Sequence, residues 1–472
     1  MTARLTMTVG GAAVDTPASL DVIDPATGQV FAQVPNAGAA ELDEAVVAAA
    51  AAFPAWRDKP WAERQAAVNL IGTTITANAA LLAEMIVREQ GKPRTLADFE
   101  VEAAAGWCFG TASLELPDRV IEDSPERYRV TRYEPIGVVA AISPWNYPLV
   151  LSIFKIAPAL LAGNCVVLKP SPFTPMTVLK VGELLRDALP AGVLNIITGD
   201  DALGPLMTAH PGFRKISFTG SSATGRKVMA SAAPDLKRLT LELGGNDAAI
   251  VFPDVDVKAT AEKLFWSAFT NSGQVCIATK RAYIHEDIYE AMRDALAGLA
   301  RNMPVGAGAT PGTALGPVQN HAQFRQLQAL LAQSAARGEI VLAENSTPAD
   351  GYFIPVTLID RPADDSPVVI EEQFGPVLPL LSFATEEEVI ARANASDMGL
   401  AATIWSNDID RAMRIAGRLE TGNVWINESL SLTPLAAFAG RKQSGFGVEN
   451  GIEGLMAYTE PKTISIFRAG AV

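Results

Sequence analysis

Short apolar runs alternate with amphipathic stretches over residues 136–253. The runs occupy residues 136–143, 165–169, 193–197 and 215–219. Except at 215–219, where Ile216 and Phe218 stand between polar residues, they are almost continuously apolar, which is typical of strands buried on both faces. Between them, residues 176–189 and 223–232 place apolar side chains three or four positions apart, as amphipathic helices do. Strands that alternate with helices predict a parallel sheet covered on both faces, so the expected fold class is α/β.

Each of four predicted strand ends is followed by a segment rich in polar residues, glycine or proline. These segments are Pro-Trp-Asn-Tyr-Pro at 144–148, Lys-Pro-Ser-Pro at 169–172, Phe-Thr-Gly-Ser at 218–221 and Glu-Leu-Gly-Gly at 242–245. Ligands of parallel sheets bind beyond the carboxyl ends of the strands, so we expect one site at this edge. Four ordinary turns would explain each segment separately but not their occurrence at the same edge.

The glycines at this edge do not form a standard nucleotide-binding fingerprint. Gly225 is followed by Arg226 and Lys227, whereas a phosphate loop needs Lys and then Ser or Thr. A G-x-G-x-x-G segment after a strand is also missing from the sequence. A helix that begins at Ser221 would still offer free backbone N–H groups to one phosphate. The spacing alone therefore leaves a nucleotide site and a plain turn equally open.

Cys276 and Glu242 are the candidates for covalent chemistry. A thiol that acts as nucleophile and a carboxylate that moves protons are the minimum for acyl transfer. A single cysteine is more often an inert, buried, small hydrophobic residue, so Cys276 alone would not indicate an enzyme.

Together with further motifs, these residues give the chain a specific resemblance to one family. Besides the four segments above, the motifs are Gly-Gln-Val-Cys at 273–276, Glu-Glu-Gln-Phe-Gly-Pro at 371–376, Gly-Asn-Val-Trp-Ile-Asn at 422–427 and Lys-Gln-Ser-Gly at 442–445. In their order and approximate spacing the chain resembles the NAD(P)-dependent aldehyde dehydrogenase superfamily over nearly its whole length. The resemblance implies a Rossmann-type cofactor domain, an α/β catalytic domain and a small β oligomerisation arm.

The same resemblance implies domain boundaries and a homo-oligomer. The cofactor domain is expected at 1–117 and 136–243, the catalytic domain at 244–443, and the arm at 118–135 and 459–472. In the sequence itself, residues 127–134 and 459–467 alternate apolar and polar side chains as half-exposed strands do. An unpaired strand edge invites association, and in relatives the matching pieces complete a neighbour's sheet. We therefore expect a homodimer or a homotetramer.

Four residues match catalytic positions of the family. Cys276 is expected to attack the aldehyde carbon as a thiolate, which requires its pKa to fall below about 8.5 through its surroundings or a bound cofactor. The side-chain amide of Asn146 and the backbone N–H of Cys276 would form the oxyanion hole. Glu242 would activate the water that hydrolyses the thioester. Glu449 is either a second proton-relay residue or a solvated surface carboxylate.

Nine residues match positions that bind NAD or NADP in the family. Lys169 is expected on the adenosine-side ribose and Glu372 on the nicotinamide ribose. The others are Trp145, Ser171, Pro172, Gly220, Ser221, Leu243 and Phe374. Many NAD-preferring relatives carry a glutamate where this chain has Pro172, and that carboxylate binds the ribose hydroxyls and repels a 2′-phosphate. The sequence therefore predicts use of both cofactors.

Seven residues match the substrate walls of the family. They are Trp107, Tyr147, Leu151, Phe154, Val275, Ile277 and Phe438. They are apolar or aromatic, with no Arg or Lys to hold a carboxylate and no acid to hold a cation, which favours an uncharged apolar or aromatic aldehyde. Phe438 lies in Ala-Phe-Ala-Gly, which departs from the Pro-Phe-Gly-Gly common in the family.

Three other functions remain open. A semialdehyde or an aminoaldehyde is the alternative substrate. A CoA-acylating relative usually lacks the hydrolytic glutamate, so Glu242 argues against that activity. A catalytically silent relative tends to lose the cysteine or the glutamate, and this chain keeps both Cys276 and Glu242.

Composition agrees with a multidomain enzyme of the cytoplasm. A chain of 472 residues that is 49% hydrophobic buries a large core and exceeds one ordinary domain. With 52 acidic and 38 basic residues, the net charge of −14 disfavours nucleic-acid and anionic-membrane partners. Its three cysteines and three histidines are too scattered to predict disulfides or a metal site. Prolines and polar residues interrupt the apolar stretch at 136–163, which favours a strand, turn and helix over a membrane span.

Overall fold

The computed structural model describes residues 5–343 and 345–468, so residues 1–4, 344 and 469–472 of the predicted domain ranges lie outside it. The strands are β1 (Met7–Val9), β2 (Ala12–Val14), β3 (Ser19–Asp24), β4 (Gln29–Pro35), β5 (Arg119–Asp123), β6 (Arg127–Pro135), β7 (Val138–Ile142), β8 (Cys165–Lys169), β9 (Leu194–Ile196), β10 (Lys215–Thr219), β11 (Arg238–Glu242), β12 (Asp247–Val251), β13 (Thr279–His285), β14 (Ile340–Ala343), β15 (Thr357–Asp360), β16 (Val377–Phe383), β17 (Met398–Gly399), β18 (Ala401–Trp405), β19 (Asn423–Ile426), β20 (Arg441–Lys442), β21 (Gly445–Phe446) and β22 (Thr459–Phe467). The helices are α1 (Ala39–Arg57), α2 (Trp61–Ala77), α3 (Ala79–Gln90), α4 (Arg94–Ala112), α5 (Pro148–Ala162), α6 (Met176–Leu185), α7 (Leu203–Ala209), α8 (Ser222–Ala232), α9 (Val257–Phe269), α10 (Tyr289–Arg301), α11 (His321–Ala336), α12 (Pro367–Ile370), α13 (Glu386–Asn394), α14 (Ile409–Ala416) and α15 (Gly451–Met456).

The first sheet has the strand order β2-β1-β9-β8-β7-β10-β11-β21, and its five central strands are parallel. The register pairs Ile142 with both Lys169 and Phe218, and Thr219 with Glu242. The carboxyl ends of β7, β8, β10 and β11 therefore lie at one edge, as the sequence predicts. Helix α5 follows β7 and is almost wholly buried, because its residues are apolar all round.

The second sheet has the order β14-β15-β16-β13-β12-β18-β19. Its strands are parallel except for the antiparallel β14–β15 pair at one edge. The chain passes from β11 of the first sheet to β12 of the second through Leu243–Asn246 alone, and Cys276 lies three residues before β13. The short segment 243–246 therefore joins the two sheets beside the predicted nucleophile.

A third sheet has the order β22-β6-β5. Strands β6 and β22 pair antiparallel along their whole length, from Thr459 opposite Pro135 to Phe467 opposite Arg127. The alternation at 127–134 and 459–467 thus does form strands, and they are largely exposed on β22. Among the described residues no single helix is long and apolar enough to cross a membrane, and the pair α2 and α3 meets that test only together, with a bend of 74°.

Element ends differ from the sequence pattern for local reasons. The helix expected at 176–189 ends at Leu185, and residues 186–189 turn before Pro190, because a residue that precedes proline disfavours helical geometry. Helix α14 ends at Ala416, directly before Gly417. Helix α8 has Ser221 as its N-cap, as expected, and the Ser221 side chain accepts a hydrogen bond from the Thr224 N–H.

Candidate active site

Two adjoining cavities open at the edge where β7, β8, β10 and β11 end. Their volumes are about 520 Å³ and about 230 Å³. Residues that line both cavities are Pro144, Trp145, Thr219, Gly220 and Ser221. The segments that the sequence places at four strand ends therefore do meet in one cleft. We call the two parts the large cavity and the small cavity.

The large cavity contains a buried cation with no protein partner. Lys169, Ser171 and Pro172 line it, and Lys169 is 5% exposed. Among the described residues the Lys169 ammonium makes no hydrogen bond or ion pair. Burial lowers the pKa of Lys169 to about 8, although the charges of Asp201 and Asp200 oppose this. An unpartnered donor at a cavity wall is available to hydroxyl or phosphate oxygens of a ligand.

The start of α8 adds backbone donors to this cleft. Gly220 and Ser221 lie just before the helix and line both cavities. The N–H groups of a helix's first turn have no intrahelical acceptor and attract anions such as phosphate. Gly225 allows the helix to lie close to the segment 243–246, since an added Cβ would lie 2.6 Å from the Leu243 side chain.

The small cavity is lined by the predicted nucleophile and several predicted cofactor residues. Asn146, Leu151, Leu243, Cys276, Glu372 and Phe374 all contribute to its wall. Glu372 accepts a hydrogen bond from the Gly245 N–H at 3.0 Å, and its other oxygen has no partner among the described residues. Gly244 makes this approach possible, because an added Cβ would lie 2.3 Å from Glu372 Oε2. Phe374 packs edge-on against Trp145 with ring centroids 5.3 Å apart.

The segment before Cys276 has an unusual backbone. Asn271, Ser272 and Gly273 all have positive φ, at 54°, 55° and 74°. An added Cβ at Gly273 would lie 2.2 Å from the Gly375 carbonyl oxygen. The Asn146 side-chain amide donates to the Gln274 carbonyl at 3.0 Å, which places it beside the nucleophile as predicted. Left-handed non-glycine residues persist where surrounding contacts hold them, and they concentrate at functional sites.

The surroundings of Cys276 do not lower its pKa. The residue is half-buried, and burial raises the pKa of its thiol to about 12. The carboxylates of Glu372, Asp247 and Glu242 also raise this pKa, and the Lys280 ammonium lowers it. The net effect of the surroundings is therefore opposite to the lowering that a thiolate needs. A lowering by bound cofactor stays a prediction.

Glu242 is a buried carboxylate without a hydrogen bond. It is 3% exposed, and neither carboxylate oxygen has a partner among the described residues. Burial raises the pKa of Glu242 well above its usual range, the Glu449 charge raises it further, and the Lys155 ammonium opposes both. A carboxyl group kept ready to hold a proton in this way suits a general base or acid.

Glu449 is not a solvated surface carboxylate, and that alternative is wrong. It is 2% exposed and forms an ion pair with Lys155 at 2.6 Å. Lys155 also donates to Thr219 Oγ1 at 2.7 Å, at the end of β10. A charge buried in this region needs a partner, and Lys155 supplies it.

The predicted substrate residues form two groups. Tyr147, Val275, Ile277 and Phe438 pack in one apolar cluster that Cys276 joins. Trp107 and Phe154 stack with ring centroids 4.6 Å apart, and Leu151 lines the small cavity. The altered segment 437–440 is held by the backbone, since Phe438 and Glu449 exchange two hydrogen bonds at 2.7 and 2.8 Å.

Sequence reasoning missed a buried ion pair that supports Asn146. The Lys92 ammonium donates to Glu100 at 2.6 Å and to the Asn146 carbonyl at 2.9 Å, and it lies 3.6 Å from the centroid of the Tyr147 ring. Glu100 in turn accepts from the Leu149 N–H at 2.9 Å, which satisfies a free donor in the first turn of α5. Lys92 and Glu100 show no pattern in the sequence that links them to residue 146. Lys155 was missed because its partner Glu449 is far away in the sequence, and Lys280 because its position four residues after Cys276 forms no recognisable motif.

Known proteins are similar to this chain over nearly its whole length. The model of the aldehyde dehydrogenase family matches residues 13–464. A probable aldehyde dehydrogenase of a Pseudomonas species is 44% identical over 98% of this chain and 94% of its own length. An NAD+ complex of an aldehyde dehydrogenase from Bacillus cereus superimposes with a TM-score of 0.96 at 35% identity, covering 98% of this chain and 96% of that one. An NADP-dependent enzyme of E. coli gives a TM-score of 0.95 at 34% identity, covering 98% of each chain.

The chain belongs to the aldehyde dehydrogenase family, which implies NAD(P)-dependent oxidation of an aldehyde. The resemblance drawn from the motifs and the expected α/β fold are thereby confirmed. The roles assigned to single residues and the domain boundaries stay predictions.

Without cofactor, we expect iodoacetamide to alkylate Cys276 slowly at neutral pH and faster at every higher pH that the protein tolerates. Only the thiolate reacts, and below a pKa of about 12 its fraction rises about tenfold per pH unit. Mass spectrometry of the peptide that contains Cys276 measures the rate. Cys108 and Cys165 are buried and serve as internal controls that should stay unmodified. A rate that levels off near neutral pH would contradict the expectation.

Proposed function

We propose that this protein oxidises an apolar or aromatic aldehyde to the carboxylic acid with NAD or NADP, through a thioester on Cys276. The observation that carries the proposal is the small cavity. There the Cys276 thiol and the Asn146 amide line the wall, and the Glu242 carboxyl group lies buried close by without a hydrogen bond. This is the set of groups that covalent acyl chemistry requires.

The cleft suits a dinucleotide in both size and donors. The large cavity offers the unpartnered Lys169 ammonium and the start of α8, and the small cavity offers the free oxygen of Glu372. We propose that Lys169, Ser171 and Ser221 hold the adenosine side and the phosphates, and that Glu372 and Phe374 hold the nicotinamide side. The remaining cofactor residues, Trp145, Pro172, Gly220 and Leu243, form the walls. When bound, the oxidised nicotinamide supplies the hydride acceptor.

The protein's own groups carry the other steps. Cys276 Sγ adds to the aldehyde carbon, and its S–C bond forms as the carbonyl oxygen takes up the electron pair. The Cys276 N–H and the Asn146 amide donate to that oxygen. After oxidation to the thioester, Glu242 accepts a proton from the attacking water. Glu449 is the proposed relay for that proton, since its charge already affects the pKa of Glu242.

The apolar cluster around Cys276 supports the substrate class. Tyr147, Val275, Ile277 and Phe438 offer no charge to the substrate, and the nearby Lys92 is already paired with Glu100. A semialdehyde or an aminoaldehyde is the alternative substrate, and a CoA thioester the alternative product. A catalytically silent relative is disfavoured because Cys276, Glu242 and Asn146 are all present. A cytoplasmic location stays an expectation from the sequence.

The proposal is tested first by the near-ultraviolet absorbance of reduced nicotinamide. Purified protein receives NAD or NADP and a panel of apolar, aromatic, cationic and anionic aldehydes, with and without CoA. We expect the signal to rise with hexanal or benzaldehyde, without CoA and with either cofactor. Faster turnover of succinic semialdehyde or of betaine aldehyde would overturn the substrate class, and an absolute need for CoA would overturn hydrolysis.

Pro172→Glu is the matched variant for the cofactor proposal. The new carboxylate would lie in the large cavity, where it would repel a 2′-phosphate and accept hydrogen bonds from ribose hydroxyls. We expect the KM for NADP to rise about tenfold or more while the KM for NAD stays within about threefold, since one charge pair at close range changes binding by about 1–3 kcal/mol. A wild-type enzyme that already rejects one cofactor strongly would contradict dual use.

Glu242→Gln separates the two halves of the proposed reaction. The amide keeps the size of the side chain but accepts no proton. The first hydride transfer should therefore persist as a burst of about one equivalent per active site in stopped-flow absorbance. Steady-state turnover should fall about a hundred- to ten-thousandfold. Cys276→Ser is the control that should abolish both phases, and turnover of Glu242→Gln at the wild-type rate would show that another group is the base.

We further propose a homodimer or a homotetramer in which β5, β6 and β22 form the oligomerisation arm. Val120, Ile121, Ile466 and Phe467 on this sheet are exposed apolar side chains. Apolar side chains on sheet strands favour association with another surface. Light scattering at micromolar concentration should give two or four times the 49.8 kDa mass of the chain. A mass of one chain would reject the proposal.

A further inference from the structure

Lys280 is a buried lysine that the proposed reaction does not use. It lies in β13, four residues after Cys276, and is 1% exposed. Its ammonium donates to the Val275 carbonyl at 2.5 Å and to the Ala278 carbonyl at 3.2 Å. It thus holds the carbonyl groups on both sides of the nucleophile. Burying an ammonium carries a large desolvation penalty, so these two bonds need a reason beyond packing.

The bond to Val275 fixes the direction of the next N–H. The Val275 carbonyl and the Cys276 N–H belong to one planar trans peptide, in which the two groups point in opposite directions. With the carbonyl held toward the buried Lys280, the Cys276 N–H points away from it. Among the described residues the Cys276 N–H has no hydrogen-bond acceptor. Cys276 lines the small cavity and Lys280 does not.

We propose that Lys280 is a positioning residue, which orients the Val275–Cys276 peptide so that the Cys276 N–H faces the cavity as an oxyanion donor. The inference rests on the proposed function, because an oxyanion forms only if Cys276 attacks a carbonyl. The amide of Asn146 is held in a comparable way, since it donates to the neighbouring Gln274 carbonyl. Both proposed donors are therefore fixed before a substrate binds, which is what transition-state stabilisation by hydrogen bonds requires.

The charge of Lys280 has a second effect on the same residue. The groups whose charges act on Cys276 are Lys280, Glu372, Asp247 and Glu242. The three acids raise the pKa of the thiol, and Lys280 is the base that lowers it. Glu372 and Asp247 in turn favour the charged form of Lys280 against its burial. One lysine therefore acts on both the peptide and the thiolate, and the two effects are separable by experiment.

Lys280→Met removes the donor and the charge at nearly constant volume. Alkylation of Cys276 by iodoacetamide without cofactor needs only the thiolate, whereas aldehyde oxidation also needs the oxyanion hole. At one fixed pH we expect alkylation to slow about tenfold, as is typical for the loss of one nearby opposite charge. We expect kcat to fall about a hundredfold or more, with KM little changed, as is typical for a lost oxyanion donor.

Lys280→Arg and Lys237→Met complete the set. Arginine keeps the charge but presents its donors differently, so alkylation should stay near the wild-type rate and kcat should lie between those of wild type and Lys280→Met. If the methionine variant does not fold, Lys280→Arg alone tests the inference, through a kcat below that of wild type at an unchanged alkylation rate. Lys237 is also buried and donates to a backbone carbonyl, that of Thr208 at 3.1 Å, and Lys237 itself lines neither cavity. Because Thr208 lines the large cavity, kcat of Lys237→Met is compared at saturating cofactor. This variant should lose stability in thermal unfolding but keep both rates.

The outcomes separate this inference from the proposed function. If kcat and alkylation fall by the same factor in Lys280→Met, only the charge acts and the positioning role is wrong. An unchanged kcat in both Lys280 variants, with active wild-type enzyme, would reject the inference and leave the proposed function intact. A wild-type enzyme that oxidises no aldehyde of the panel would reject both.

Discussion

Burial of ionisable groups beside the cleft is the constraint on which this site depends. A charged group taken out of water is stable only when partners replace its hydration, and breaking a buried pair typically costs about 3–5 kcal/mol. Two such pairs flank the cleft, Lys92 with Glu100 and Lys155 with Glu449, each at 2.6 Å. Each pair also hydrogen-bonds the elements that carry the site, through the Asn146 carbonyl and Thr219. In each pair the two charges therefore neutralise each other, and the pair also fixes the position of the cleft's edge.

Against this background the unpaired groups are informative. Lys169 and Glu242 are as deeply buried as the paired residues but have no partner among the described residues. Lys92, Glu100, Lys155 and Glu449 are paired, whereas Lys169 lies at a cavity and Glu242 beside one without an ion-pair partner. This difference is consistent with the roles proposed for them, ligand binding by Lys169 and proton exchange by Glu242. The buried ammonium of Lys280 belongs to neither group, because it bonds backbone carbonyls, and we connect it with the conformation of the nucleophile's own peptide.

Much of the local structure could be predicted from the sequence. The strands at 165–169 and 215–219 coincide with the predicted runs to the residue. The first is continuously apolar up to Lys169, as is typical of a strand buried on both faces. The end of α6 was predicted less accurately, because the apolar periodicity continues to residue 189 whereas the helix ends at Leu185, before Pro190. The nature of Glu449 could not be decided, because nothing near it in the chain indicates burial. Its partner Lys155 lies on α5, almost 300 residues earlier in the sequence.

Residue types and their order were enough to determine the fold class, the family and the candidate nucleophile, because these depend on periodicity and on motifs contiguous in the chain. Only the tertiary structure decided which charges are paired. It also showed that burial raises the pKa of Cys276, where the sequence analysis allowed the surroundings to lower it. Both properties arise from groups far apart in sequence that share one poorly hydrated region. Dielectric surroundings and pair distances are set by packing, and no local pattern of residues records them.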